Sequence, residues 1–136
     1  MEQLKPTQEK GGQTATVALL EAIGDAFNRH DVEGILSFFA DDGVFDQPAG
    51  AEIWGHRYSG KDEIRQAFAT LFKNIPDIHW KPVRNWVSGD MGCSEWRRTG
   101  VTTNGDAQDW LGCDLFTFRD GLVIKKDSYF KIIQKD

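Results

Sequence analysis

Two charges interrupt otherwise apolar strand patterns near the C-terminal end. Along residues 110–118, alternate positions give Trp110, Gly112, Asp114, Phe116 and Phe118. Along residues 122–132 they give Leu122, Ile124, Lys126, Ser128, Phe130 and Ile132. Each face is apolar except at one charge, Asp114 in the first and Lys126 in the second. A charge facing a core must be paired, because stripping its water costs on the order of several kcal/mol. Two readings follow. One is a structural salt bridge. The other is a ligand pocket, where polar groups converge within apolar walls and a carboxyl group acts as general acid or base.

Register decides whether the charges meet. A three-residue turn over residues 119–121, with Gly121 in the left-handed position of a bulge, pairs Phe118 with Leu122 and Asp114 with Lys126. The preceding hairpin leaves two registers open. A two-residue Asn104-Gly105 turn puts Glu95 and Arg97 on the face of Asp114. A bulge within residues 95–103 instead turns Trp96 and Arg98 inward. Asp46 is the second candidate carboxylate and the expected partner of Asp114, although an Asp two residues before Pro48 also suits a turn. Lys126 and Arg97 would hold an enolate or a carboxylate. Trp54, His56 and Tyr58 alternate before a helix, which suits a pocket mouth or a strand packed on that helix. Trp110, Phe116 and Phe130 supply aromatic wall.

The positioning elements are legible from periodicity. Val17, Leu20, Ile23 and Phe27 recur at helical spacing. Asp31 is a natural cap for a short second helix carrying Val32, Ile35, Leu36 and Phe39. Val44 and Phe45 start a short strand that Pro48 and Gly50 end. A third helix carries Ile64, Phe68, Leu71 and Phe72, with Ser59 or Asp62 as its cap. Four strands follow, over residues 78–87, 91–103, 107–118 and 122–133, as an antiparallel meander. Helices first and strands after make an α+β fold, a curved sheet wrapped around three helices with a cavity between the layers. Residues 1–12 are polar and aperiodic and are expected to be a mobile tail, leaving 13–136 as a single domain.

Composition removes several functions. The chain has 136 residues, enough for one core without metal or disulfide staples. A net charge of −5 with scattered basic residues disfavours nucleic acid. No apolar run is long enough for a membrane helix, and no secretory signal pattern opens the chain. Cys93 and Cys113 lack metal or redox spacing and are expected to be reduced core thiols of a cytoplasmic protein. No metal or cofactor is expected. The apolar outer positions Leu111, Cys113, Leu115, Val123, Tyr129 and Ile133 point to a homodimer through the outer sheet face.

One resemblance covers residues 15–133. The run Phe27-Asn28-Arg29-His30-Asp31-Val32-Glu33-Gly34-Ile35-Leu36-Ser37-Phe38-Phe39-Ala40-Asp41-Asp42, then Val44-Phe45-Asp46 and Gly60-Lys61-Asp62-Glu63-Ile64, resembles the opening of the SnoaL-like, or NTF2-like, superfamily. Residues 114–123, with Asp127-Ser128-Tyr129-Phe130, resemble its closing hairpin. The resemblance implies a conical α+β barrel with an internal pocket. Its members include ketosteroid isomerases, polyketide cyclases, limonene-epoxide hydrolases and non-enzymatic binding modules. Asp46 matches the isomerase general base, and Asp114 matches the carboxylic acid of the isomerase oxyanion hole, a carboxyl kept neutral by its apolar site. The oxyanion-hole tyrosine falls on Ile23, and Lys126 replaces an apolar pocket residue, so steroid isomerisation is not expected. Arg97 matches the epoxide-hydrolase arginine, but the aspartates of that set fall on Thr99 and Ser128. The expectation is therefore a small-molecule pocket protein, either an acid/base isomerase, cyclase or lyase acting on an apolar substrate, or a non-catalytic binder of an aromatic or lipophilic ligand.

Overall fold

A computed structural model describes residues 15–134; the expected tail at residues 1–12 lies outside them. Helix α1 spans Val17–Asn28, capped by the Thr16 hydroxyl, which accepts from the Leu19 N–H at 3.0 Å. Its buried residues, Leu20, Ile23, Ala26 and Phe27, form one stripe. The Asn28 side chain then pairs with the Trp80 backbone in both directions, at 2.9 Å each, as a strand neighbour would. That pairing ties the end of α1 to the sheet. Asp31 caps α2 (Val32–Leu36) through the Gly34 N–H, as its sequence position predicts. Helix α3 covers Lys61–Asn74. Gly60, not Ser59 or Asp62, occupies its cap position, at φ 85°. The carboxylate of Glu63 instead reaches back to the Ser59 N–H.

The strands are β1 (Phe39–Glu52), β2 (Gly55–Ser59), β3 (His79–Ser88), β4 (Met91–Val101), β5 (Ala107–Arg119) and β6 (Leu122–Phe130). They form one open, mixed sheet in the order β2-β1-β6-β5-β4-β3. The expected antiparallel meander is β3 to β6, and β1 extends it by pairing parallel to β6. The α+β class holds. Phe39 belongs to β1 and not to α2, because a buried apolar residue satisfies either pattern. Strand β1 also runs through Pro48, where its ladder with β2 is irregular between Gln47 and Glu52 and no N–H is needed from the proline.

The last hairpin differs in register from the expected one, and the hairpin before it takes one of the two inward sets left open. Asp120 (φ 53°) and Gly121 (φ 80°) form a two-residue turn with both residues left-handed, so Arg119 faces Leu122 and Phe118 faces Val123. A bulge at Ile124 then moves the ladder by one residue. Phe116 faces Lys126 and Asp114 faces Ser128. Val123 is fully buried, so it belongs to the core and not to the outer face. Between β4 and β5, the connection is longer than Asn104-Gly105, and Val101 faces Ala107. That slip turns Trp96 and Arg98 inward and Arg97 outward.

The three helices cover one side of the sheet. Phe68 is the hub, with ring centroids 5.0 Å from Phe27 and from Phe45, and 6.3 Å from Phe39. Most aromatics thus fill the core, and the open volume inside it is small.

Candidate functional site: a buried carboxylate–ammonium cluster

Strands β5 and β6 deliver Asp114, Lys126 and Ser128 to the inner face, and β4 delivers Trp96. The Lys126 Nζ donates to Asp114 Oδ1 at 3.1 Å and to Ser128 Oγ at 2.8 Å. The Ser128 hydroxyl donates to the same Oδ1 at 2.5 Å, and the Trp96 indole N–H donates to Oδ2 at 3.1 Å. Lys126 lies diagonally from Asp114, two residues along the ladder from the predicted pairing, and its long stem closes the gap. All four residues are buried. The ammonium also sits over three rings, 4.5 Å from Phe45, 5.1 Å from Phe27 and 5.8 Å from Phe68. Aromatic faces attract a cation most strongly where water is excluded. Burial pushes the Lys126 amine below the ordinary lysine value, and Asp114 opposes that shift by Coulomb attraction and hydrogen bonding.

The cluster borders a cavity of about 50 Å³, lined by Phe27, Trp80, Ser94, Trp96, Phe116 and the charged pair, with Leu20, Ile23 and Gly24 of α1 above. A water takes about 30 Å³ in the liquid, so the cavity alone admits one or two. It does not end there. Leu20, Gly24, Trp80, Ser94 and Trp96 also line a groove of about 310 Å³ between α1 and strands β3 and β4, whose outer rim carries Glu21, Asp25 and Asn85. The pair therefore lies one layer of side chains inside this surface groove.

The other expected site residues are distributed more widely. Asp46 is fully buried, but on the opposite face of the sheet from Asp114. Arg57 clamps it through two hydrogen bonds of 2.7 and 2.8 Å, and Lys125 lies 3.9 Å away. Strand alternation explains this, since its neighbour Phe45 points into the core. Trp54 shares that outer side, stacked by the Arg57 guanidinium at 5.2 Å. Arg97 is exposed there too and pairs with Asp109 at 2.6 Å, so it does not join Lys126. Tyr58 is on the inner side but stacks on Phe45, away from the cavity. Trp110 packs on Phe130 at 4.6 Å and holds the Arg98 guanidinium at 4.5 Å. Burial lowers the Arg98 pKa to about 10, and its side chain donates to Gln108. Of the residues singled out in the sequence, Asp114, Lys126 and Phe116 meet at the cavity. Trp96, Ser94 and Trp80 complete its wall, and Ser128 stands behind it, bonded to Asp114 and Lys126. Ser128 already stood on the face of Lys126 in the alternation, and Trp96 turns inward in the register left open.

The SnoaL-like domain model matches residues 20–125. The chain belongs to the SnoaL-like family. Among curated proteins none matches it in sequence. Solved structures share the fold. A candidate polyketide cyclase from Xanthomonas campestris is 22% identical, with 90% of this chain and 93% of that one covered at a TM-score of 0.76. A hypothetical protein with a ketosteroid isomerase-like fold from Catenulispora acidiphila, in complex with trimethylamine, is 17% identical over 87% and 88%, at 0.75. An NTF2-like protein of unknown function from Burkholderia pseudomallei is 21% identical over 86% and 92%, at 0.74. At these identities the likeness concerns the fold, which hosts many activities. Among the described residues no helix is long and apolar enough to cross a membrane, and no cluster of three or more His, Cys, Asp or Glu is placed to hold a metal.

Proposed function

We propose that this SnoaL-like protein binds a small apolar molecule through the groove between α1 and the sheet and performs proton-transfer chemistry on it at Asp114. The reaction type is isomerase, cyclase or lyase. The observation that carries this reading is a carboxylate and an ammonium held together in an apolar interior, on the wall of a cavity that shares five lining residues with a surface groove. Asp114 is the acid/base. Lys126 stabilises the negative charge that develops on a substrate oxygen, the kind of term that contributes most in such sites. Ser128 and Trp96 orient the carboxylate. Asp46 and Arg97 serve the outer face and take no part in the transfer.

The test is turnover of a substrate found by screening enolisable ketones and phenolic polyketides. Asp114→Asn should abolish turnover, and Asp46→Asn should leave it. Full turnover by a folded Asp114→Asn protein sinks the proposal. The hydrogen bonds already satisfying both Asp114 oxygens favour a second reading, a binder without chemistry. A ligand recovered unchanged after long incubation with the protein selects that reading.

The outer face supports a homodimer as part of the same proposal. Val83, Trp86, Leu111 and Tyr129 are exposed around a shallow depression of about 630 Å³, with Cys113 and Leu115 at its floor. Four ion pairs neutralise charge on this side within the chain: Arg84–Glu95, Arg97–Asp109, Arg57–Asp46 and Lys125–Asp127. An identical face can close on it without meeting these as uncompensated charges. Sedimentation as a monomer at tens of micromolar would refute this.

A further inference from the structure

We infer that Gly24 is the gate of the groove, and that the passage it leaves selects a flat, uncharged ring carrying a hydroxyl or carbonyl at its leading edge. This inference rests on the functional reading of the groove above. Gly24 lies inside α1, where a glycine weakens a helix relative to alanine. Local geometry does not demand it. Its φ is not left-handed, and a Cβ built there meets nothing within 4 Å. Alanine would fit the helix better and clash with nothing, so the missing side chain leaves space and serves no turn.

That space is the neck between groove and cavity. Gly24 lines both volumes, as does Ser94 across from it on β4. Two small residues thus share the neck, which Leu20 and the indoles of Trp80 and Trp96 also bound. A passage walled by two small residues, one leucine and two indoles suits a planar ring, which gains stacking on the indoles, and hinders a globular one of equal carbon count. Charge selects further. The unpaired acids lining the groove are Glu21 and Asp25, since Glu95 is held by Arg84, and no Lys or Arg lines it. Inside, Lys126 is already balanced by Asp114. An anion therefore meets repulsion at the rim and no free cation at the end, whereas a hydroxyl or carbonyl fits among the polar atoms of the cluster.

The experiment uses the full chain and three probes, 2-naphthol, 1-adamantanol and 2-naphthoate. The first two each have ten carbons and one hydroxyl, one flat and one globular; the third is flat and anionic. Binding is read at the indole N–H resonance of Trp96, the group that donates to Asp114, in protein labelled at tryptophan nitrogen. The expected result is a shift of that resonance with 2-naphthol and weaker or no shift with the other two. Gly24→Leu should weaken 2-naphthol binding roughly tenfold or more, as added methylenes do in a fitted pocket, without lowering Tm. Gly24→Ala, a better helix former, should raise Tm by about 3 °C and lose a smaller part of the affinity. If 2-naphthol moves Trp96 equally in wild type, Gly24→Ala and Gly24→Leu, the gate is refuted and the functional reading stands. If 1-adamantanol or 2-naphthoate binds as well as 2-naphthol, the selectivity is refuted. If no probe moves Trp96 in the wild type, gate and functional reading fall together.

Discussion

Removing Asp114 as a charge tests the central cluster most directly. In Asp114→Asn, Lys126 keeps its stem among Phe27, Phe45 and Phe68 but loses the carboxylate that justifies an ammonium there. Breaking a buried pair from one side costs about 3–5 kcal/mol. An independent ceiling comes from the lysine itself, since the folded protein can always release the proton. Relative to the ordinary lysine value of 10.5, neutralising the amine at pH 7 costs at most about 4.8 kcal/mol, at about 1.36 kcal/mol per pH unit. At pH 9 the same ceiling falls to about 2 kcal/mol. The sign follows from linkage. Burial depresses the folded-state pKa below the unfolded one, so between the two values the unfolded chain binds more protons and stability rises with pH. Losing Asp114 depresses the folded value further and extends that window downward. With about 2.1 cal/mol/K of unfolding entropy per residue, or about 0.29 kcal/mol/K over 136 residues, a loss of 3–5 kcal/mol lowers Tm by about 10–17 °C. The assay is urea unfolding of wild type, Asp114→Asn, Lys126→Met and the double variant at pH 7 and pH 9. The expected pattern is a large loss at pH 7 in Asp114→Asn, roughly halved at pH 9 and partly restored by adding Lys126→Met. A loss below about 1 kcal/mol at pH 7, or one equal at both pH values, refutes the argument.

Three further outcomes follow from the geometry. Burial pushes the Cys93 thiol up to about 12 and raises Cys113 in the same direction, so Ellman's reagent at pH 8 should modify Cys93 on the order of a thousandfold more slowly in the native protein than in urea. Asp46→Asn should cost on the order of 1–2 kcal/mol by loosening Arg57, which is itself part exposed, while leaving the Trp96 indole resonance in place. A methyl on Gly112 would run into the Tyr129 carbonyl and the Trp96 ring, so Gly112→Ala should cost on the order of 1–3 kcal/mol and shift that resonance away from its Asp114-bonded position.

The sequence carried the helical stripes, the Asp31 cap, the meander and the two discordant charges, because all of these depend on local period. It could not carry the registers. A two-residue turn followed by a bulge at Ile124 and a three-residue turn with a bulged Gly121 both place Phe116 and Lys126 on one face. On the inner face they exchange Leu122 for Val123, both apolar, and they set Lys126 or Ser128 opposite Asp114. The β4–β5 connection is harder still, since one residue of slip exchanges Arg97 for Arg98 and Glu95 for Trp96. Arginines occupy both neighbouring positions, so composition offers no preference; what decides is the indole of Trp96 reaching Asp114 over the bare backbone of Gly112. The side taken by Asp46 is ambiguous in the sequence for a simpler reason. Val44 and Phe45 are both apolar, and the parity of the strand is set by Phe45 meeting Phe68, a contact between distant segments.

The mutual satisfaction of Trp96, Asp114, Lys126 and Ser128 also constrains how such a site can diverge. Each polar atom in the cluster is answered by another member from one of three adjacent strands. Any single replacement strands a partner in the interior. A lineage leaving this arrangement for a neutral acid at position 114 would have to replace the lysine as well, and each one-step intermediate would cross a deep fitness valley. The rim residues Glu21, Asp25 and Asn85 carry no such bond to the cluster and can drift one at a time. The inner end is therefore expected to stay fixed while the mouth of the groove diversifies.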